Sequence, residues 1–315
     1  SLHNNKNYYL NFSNLFNKEF IFNEHIEFDK QFGNLNQKLN FLNIKKKIGN
    51  DKINIGYVSG DFKQHSVSFF FQPLLENHNR EKFNIYCYSN YQFSDNITLK
   101  IKLLSKKWTE IFDKSDNEVF DIIANDKIDI LVDLSGHTRG NRLIVFAKKP
   151  APIQITWLGY PNTTGLSSID YRFTDIITDP IGQTEKYYSE TLYRLPNNFL
   201  CFTGEEEIEL SREIPFVSNN YITFGSFNNF SKITDETIKI WSNILKIIPN
   251  SRLVLKTSRD NLEFNRYIKL FSNEGIEKKR IDYINRISDY RDHLELYNKI
   301  DIALDTFPYN GTTTT

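Results

Sequence analysis

INIGYVSGDFKQHSVSFFFQPLLENHNREKFNIYCYSN, residues 53–90, decides the fold. INIGYVS is a short apolar run that ends in small and polar residues, the pattern of a strand buried on both faces. SVSFFFQPLLENH follows at helix length, with Ser66 or Ser68 able to cap its start. FNIYCYSN is then a second strand-like run. Strand, helix and strand at this spacing form a βαβ unit, in which the two strands lie parallel and the helix covers one face.

The alternation continues outward from this stretch. NITLKIKLL reads as a helix, KWTEIF as a strand, NEVFDIIAND as a helix, DILVDLSG as a strand, NRLIVFAKK as a short helix and IQITWLGY as a strand. Residues 175–215 hold turn signals (ITDPIGQ), a strand-like TLYRLP and an acidic GEEEIE, and read as an interdomain crossing. Strand–helix alternation then restarts with YITFGSF, TDETIKIWSNILKII, SRLVLKT, LEFNRYIKLFSNEG (closed by Gly275), RIDYIN, DYRDHLELYNK and IDIALDTF. Ahead of residue 53, Phe20, Phe22, His25, Ile26 and Phe32 line one face of a short helix, and KKKIGND (45–51) reads as a linker. The predicted class is therefore α/β, with a helical extension and linker (1–48), one α/β unit (49–212) and a second (213–315).

A chain of 315 residues is long enough for two domains of ordinary size. Lys+Arg and Asp+Glu both number 39, a balance that argues against a dedicated nucleic-acid partner. Two cysteines, Cys87 and Cys201, make neither a disulfide framework nor a metal-type spacing, and each reads as a small buried residue. No apolar run approaches the ~18 residues of a membrane span, and the start lacks a secretory pattern, so the expected address is cytoplasmic with no membrane partner. The chain contains no Met and stops abruptly at GTTTT, which reads as a fragment.

Open α/β sheets bind ligands beyond the carboxyl ends of their strands, where strand order reverses. The loops at those ends are the candidate sites. The first unit delivers GDFKQHS with Asp61 and His65, SGHTRGN with His137, Thr138 and Arg139, and GYPNTTG. The second delivers FNNFSK and FPYNGTTTT. Asn228, Asn229 and Lys232 precede a helix that Thr234 can cap, and bare amides at a helix start plus one Lys favour a phosphate. GTTTT has the same character, through close backbone approach and hydroxyl donors. His293 faces a ligand or caps its helix, whereas His3, His25 and His78 read as structural and Trp108, Trp157 and Trp241 as core. Neither G-x-G-x-x-G after a strand nor a P-loop occurs, and neither H-E-x-x-H nor D-x-D, so the expected chemistry uses no metal and no nicotinamide or flavin cofactor.

INIGYVSGDFKQHSVSFF, ILVDLSGHTRGNRL, KPAPIQITWLGYPNTTG, DYRFTD, ITFGSFNNFSKI and DIALDTFPYNGTTTT, in this order, resemble the catalytic region of the protein O-GlcNAc transferase and SPINDLY family, glycosyltransferase family 41. The likeness runs from Ile53 to the last residue, with a fainter echo in NYYLNFSNLFNKEFIFNEHIEFDKQF. It implies a GT-B fold of two Rossmann-like domains, the second incomplete here, with a nucleotide-sugar donor held largely by that second domain. It implies inverting transfer of a sugar to Ser/Thr hydroxyls of protein acceptors. By motif, Asn229 and Lys232 would contact the donor diphosphate, Lys232 offsetting charge on the leaving group. Thr312, Thr313 and Thr314 would meet the same phosphates, and His293 would pack on the base. His65 would stand near the acceptor as a general base, with His137 and Asp133 at the sugar end.

Thr312 stands where the O-GlcNAc branch carries His, and FNNFSK, PNTTG and PYNGTTTT are closer to the SPINDLY branch, whose plant enzyme uses a fucose donor. UDP-GlcNAc is the favoured donor and GDP-fucose the alternative. A nucleotide-binding scaffold without turnover, or a GT-B enzyme acting on glycans or small molecules, completes the field. Family members recruit protein acceptors through upstream helical repeats absent here, and they continue past the last loop. The expectation is that the isolated chain is weak or inactive and that its last strands expose apolar surface.

Overall fold

A computed structural model describes residues 2–33, 52–203, 209, 211, 213–256, 261–285, 287 and 289–314. By Cα proximity the chain divides into two units, Ser1–Leu10 with Phe16–Gly204, and Asn11–Leu15 with Glu205–Thr315. The linker expected at 45–51 and most of the acidic GEEEIE stretch lie outside the described residues.

The first unit is built on a seven-stranded sheet: β1 (Ile53–Ser59), β2 (Phe83–Ser89), β3 (Lys107–Glu110), β4 (Ile130–Asp133), β5 (Ile153–Thr156), β6 (Tyr171–Asp175) and β7 (Thr191–Leu195). Their order is β3-β2-β1-β4-β5-β6-β7 and every pairing is parallel. Alternation along a strand explains the two-sided burial. In β1, Ile55 and Tyr57 enter one core with Phe62, Phe71, Leu75 and Ile85, while Val58 enters the other with Tyr88, Val119, Ile123 and Leu131.

The helices of this unit are α1 (Leu2–Leu10), α2 (Lys18–Phe32), α3 (Ser66–Glu76), α4 (Asn96–Leu104), α5 (Asp116–Asn125) and α6 (Leu143–Ala147). Reciprocal capping boxes start α4 at Asp95 with Thr98, and α5 at Ser115 with Glu118. The cap of α3 is neither Ser66 nor Ser68 but His65, whose Nδ1 accepts from the Val67 amide at 3.3 Å. Ser68 turns its hydroxyl to the Asp61 carbonyl instead, at 2.7 Å.

β6 lies in a stretch without an expected strand, because its alternation (YRFTD) is interrupted by a buried Arg172. With β7 beside it, the sheet extends well into the expected crossing at 175–215. On α2 the buried residues are His25 and Phe28, while Phe20, predicted for that face, is exposed. Trp157 and Trp241 are core residues, Trp108 packs against the core, Cys87 is fully buried and Cys201 half-buried.

The second unit carries β8 (Ile222–Ser226), β9 (Ser251–Lys256), β10 (Ile281–Ile284) and β11 (Ile302–Ala303), ordered β10-β9-β8-β11 and all parallel. Its helices are α7 (Pro215–Asn219), α8 (Asp235–Ile247), α9 (Asn261–Asn273) and α10 (Tyr290–Glu295). Phe224, Leu253 and Leu255 enter the core with Trp241, Leu245 and Phe271, and Val254 faces the other side with Phe227, Leu296 and Ile300. β11 is shorter than IDIALDTF predicts, because the chain beyond Ala303 is drawn into a loop by Asp305, and Ile302 is left half exposed.

Candidate functional site

In the second unit the strand order reverses between β8 and β11, and the loops that follow these two strands meet. Asp305 ties them together. Its Oδ1 accepts from the amides of Thr306 and Gly311, both at 2.7 Å, and from Asn228 Nδ2 at 3.2 Å. Its Oδ2 accepts from Asn310 Nδ2 at 3.2 Å. Thr234 caps α8 and, with Thr237, donates its hydroxyl to the Phe307 carbonyl at 3.1 and 3.0 Å. The start of α8 and the 305–311 loop are thereby one assembly.

Lys232 lies inside this assembly. Its ammonium donates to the Asn310 carbonyl at 2.8 Å and stands over the Tyr309 ring, 4.3 Å from the centroid. Burial lowers its pKa to about 8, against the pull of Asp305 in the other direction. The group is still largely cationic at neutral pH, and partial desolvation strengthens its attraction for an anion.

The terminal threonines fold beside it as a short 3-10 turn, Thr312–Thr314, with Thr312 in the left-handed region at φ 53. Thr314 donates its hydroxyl to Asn228 Oδ1 and accepts at its carbonyl from the Tyr297 hydroxyl, both at 2.7 Å. Asn229 is exposed and caps the 3-10 turn Phe230–Lys232, its Oδ1 accepting from the Ser231 amide and hydroxyl. His293, Phe227 and Tyr297 form an aromatic group, with ring centroids 6.1 Å (His293–Phe227), 5.9 Å (His293–Tyr297) and 4.8 Å (Phe227–Tyr297) apart. Lys256 donates to His293 Nδ1 at 2.7 Å, and burial together with that ammonium lowers His293 to about 4. A neutral ring that accepts at Nδ1 carries its proton on Nε2.

In the first unit, the strand order reverses between β1 and β4. Gly60, after β1, approaches the Gly140 backbone so closely that a Cβ would sit 2.9 Å from the Gly140 carbonyl oxygen. His65 Nε2 lies 3.8 Å from Asp61 Oδ1, Lys63 Nζ lies 3.5 Å from the same oxygen, and Lys63 also covers the Tyr91 ring. Burial, with Lys63 nearby, holds His65 below the usual imidazole range, opposed by Asp61. With Nδ1 committed to the helix amide, the proton of neutral His65 resides on Nε2.

His137 and Asp133 stand apart from the exposed loops. His137 is almost fully buried: its Nε2 meets the Thr164 carbonyl at 2.8 Å, its Nδ1 meets the Asn4 side chain at 2.7 Å, and His25, Phe28 and Tyr160 surround the ring. Burial lowers its pKa well below the ordinary value. Asp133 is buried as well, accepting from Thr156 Oγ1 and from the amides of Ser135 and Gly136, and burial raises its pKa. Asp133 gathers the amides of the loop after β4, and His137 ties that loop to Asn4 and to the Thr164 carbonyl. Thr138 donates within that loop to the Ser135 carbonyl.

Asp305, Tyr297 and Tyr309 escaped the sequence reading. Asp305 follows β11 in DTFPYNG, where a carboxylate ahead of a Pro- and Gly-containing turn signals a backbone-gathering loop. Tyr297 and Tyr309 carry no local signal. Among the described residues, no group of three or more His, Cys, Asp or Glu is placed to hold a metal ion, and no helix is long and apolar enough to cross a membrane.

Comparison with known proteins bears on this geometry. The profile of Glycosyl transferase family 41 matches residues 28–214 and 203–315. The SPINDLY protein of Arabidopsis thaliana, a probable UDP-N-acetylglucosamine–peptide N-acetylglucosaminyltransferase, is 43% identical over 270 residues, covering 84% of this chain and 29% of its own length. That of Hordeum vulgare is 41% identical over 302 residues, covering 94% of this chain and 32% of its own. The chain thus spans about a third or less of the curated relatives it matches. A solved structure of a mutant Thermobaculum terrenum O-GlcNAc transferase superposes with a TM-score of 0.92 at 31% identity, covering 99% of this chain and 59% of that one. The two parallel sheets are those of the GT-B fold that the resemblance implied.

Proposed function

The chain belongs to glycosyl transferase family 41, and from that premise we propose that it is the catalytic region of an inverting transferase that moves N-acetylglucosamine from UDP-GlcNAc to Ser/Thr hydroxyls of proteins. The observation that carries this reading is the assembly around Lys232, where one partly desolvated ammonium, the start of α8 and the Thr312–Thr314 turn converge. A Ser or Thr hydroxyl is a weak nucleophile, so the larger gain comes from stabilising the departing diphosphate. Lys232 supplies the cation, Asn229 and the threonines supply donors, and the aromatic group of His293, Phe227 and Tyr297 receives the base. In this reading His65, protonated at Nε2 and capping α3, donates a hydrogen bond to the acceptor or sugar and is not the base. GDP-fucose is the second reading for the donor, favoured by Thr312 and the SPINDLY-like loops.

The test is a binding titration of UDP, UDP-GlcNAc and GDP-fucose against the chain and its Lys232→Met variant, followed by labelled-sugar transfer in a version carrying the remaining length of its relatives. Lys232→Met is expected to weaken nucleotide binding by about tenfold or more, as loss of a charge-assisted contact does. Nucleotide binding that ignores this substitution defeats the assignment.

A further inference from the structure

Segment 11–15 joins α1 to α2 in sequence, yet it packs within the second unit. Asn14 and Phe12 fasten it there. Asn14 Nδ2 donates to Glu236 Oε2, in the first turn of α8, at 2.9 Å. Phe12, buried to 9% exposure, stacks on Tyr309 with centroids 4.7 Å apart and planes 15° from parallel. Tyr309 is also the ring over which the Lys232 ammonium stands, and its carbonyl accepts from Thr306 Oγ1.

We propose that Phe12 is a positioning residue for the anion site, clamping the Tyr309 ring and through it fixing where the Lys232 ammonium stands. This deepens the reading of Lys232 as the diphosphate contact and rests on it.

The physical case has three parts. A Tyr at the tip of a loop containing Pro and Gly has two rotatable side-chain torsions, and its ring needs packing to hold one orientation. Parallel stacking of Phe12 supplies that packing. An ammonium over an aromatic face is attracted by the ring quadrupole, more strongly where water is excluded. The Phe12–Tyr309 pair is therefore both a scaffold and an aromatic wall for Lys232. Burial of Lys232 lowers its pKa, and the aromatic wall is one side of its surroundings, so the titration of Lys232 reports whether the wall is in place.

The experiment follows the lysine directly. The Cε resonances of the full chain are titrated by NMR, with Lys232 assigned by its disappearance in Lys232→Met, and UDP affinity is measured at pH 7 on the same samples. In the parent, burial is expected to set the Lys232 midpoint at about 8. Phe12→Ala is expected to raise that midpoint by about a unit or more as water reaches the ammonium, and to weaken UDP about tenfold. Phe12→Leu keeps apolar volume without a ring and gives the same upward shift, which covers the case in which the alanine variant fails to fold. Phe12→Tyr, which can still stack, retains the parental midpoint and affinity. A parental Lys232 midpoint in Phe12→Leu overturns the role of Phe12 whatever happens to UDP, because a segment that only supports the fold would leave the lysine's surroundings alone. If instead Lys232→Met binds UDP as the parent does, the diphosphate reading itself falls, and the Phe12 proposal falls with it.

Discussion

At the scale of single residues, the polar groups buried in the first unit do structural work that their chemistry disguises. His25 lies between the Ile21 carbonyl and the Tyr160 hydroxyl, each 2.7 Å away, with its ring edge-on to His137 at 5.0 Å. Two such rings cannot both charge in a dry core, and burial lowers His25 to about 4 and holds His137 well below the usual imidazole range. The unfolded chain takes up these protons near 6.5 and the folded chain does not, so stability is complete above that pH and is lost as pH falls towards 4. From His25 alone, denaturant titrations at pH 7 and pH 5 should differ by about 2 kcal/mol in unfolding free energy. His25→Gln should remove that share of the difference, leaving the part due to His137, and an equal acid loss in that variant would remove His25 as a source. His137 lies on a strand-end loop, yet its ring is buried among groups of α1 and α2.

At the scale of elements, β8 pairs with β11 through two residue pairs only, Ile302 opposite Phe224 and Ala303 opposite Gly225. Gly225 is required there because a Cβ would stand 2.4 Å from Ile300 Cγ2. Gly225→Ala should therefore cost about 1–3 kcal/mol of stability through overpacking. The cost should shrink in an Ile300→Ala background, which a double-mutant cycle on thermal unfolding measures. Additive losses would mean that the strain lies elsewhere. This pairing also sets the function proposed, since it brings the loop after β11 beside the loop after β8. Helix and strand periods were readable for most elements, and the capping of α8 by Thr234 was too. β6 was not, because a buried Arg172, donating to the Tyr160 and Asn162 carbonyls, breaks the apolar pattern that marks a strand.

At the scale of the molecule, the chain is two α/β units, each with its strand order reversing beside the loops richest in polar groups. A ligand held only by the second unit should protect that unit alone. Hydrogen exchange with saturating UDP should slow amides in 226–237 and 305–314 and leave the strands β1 to β5 unchanged, with stabilisation of about 2.7 kcal/mol at a hundredfold excess over Kd. Slowed exchange in the first unit without change in the second would place the nucleotide elsewhere. The sequence by itself determined the α/β class, the parallel sense of the strands, the loops that follow them and the family resemblance, because all of these follow from local periodicity and short motifs. Only the tertiary structure decided that His137 and Asp133 are buried, that His65 caps a helix through Nδ1, and that Asp305 gathers the loop against which Lys232 stands. Those assignments depend on which distant segments exclude water from a group and take up its hydrogen bonds, and residue spacing along a chain carries no record of either.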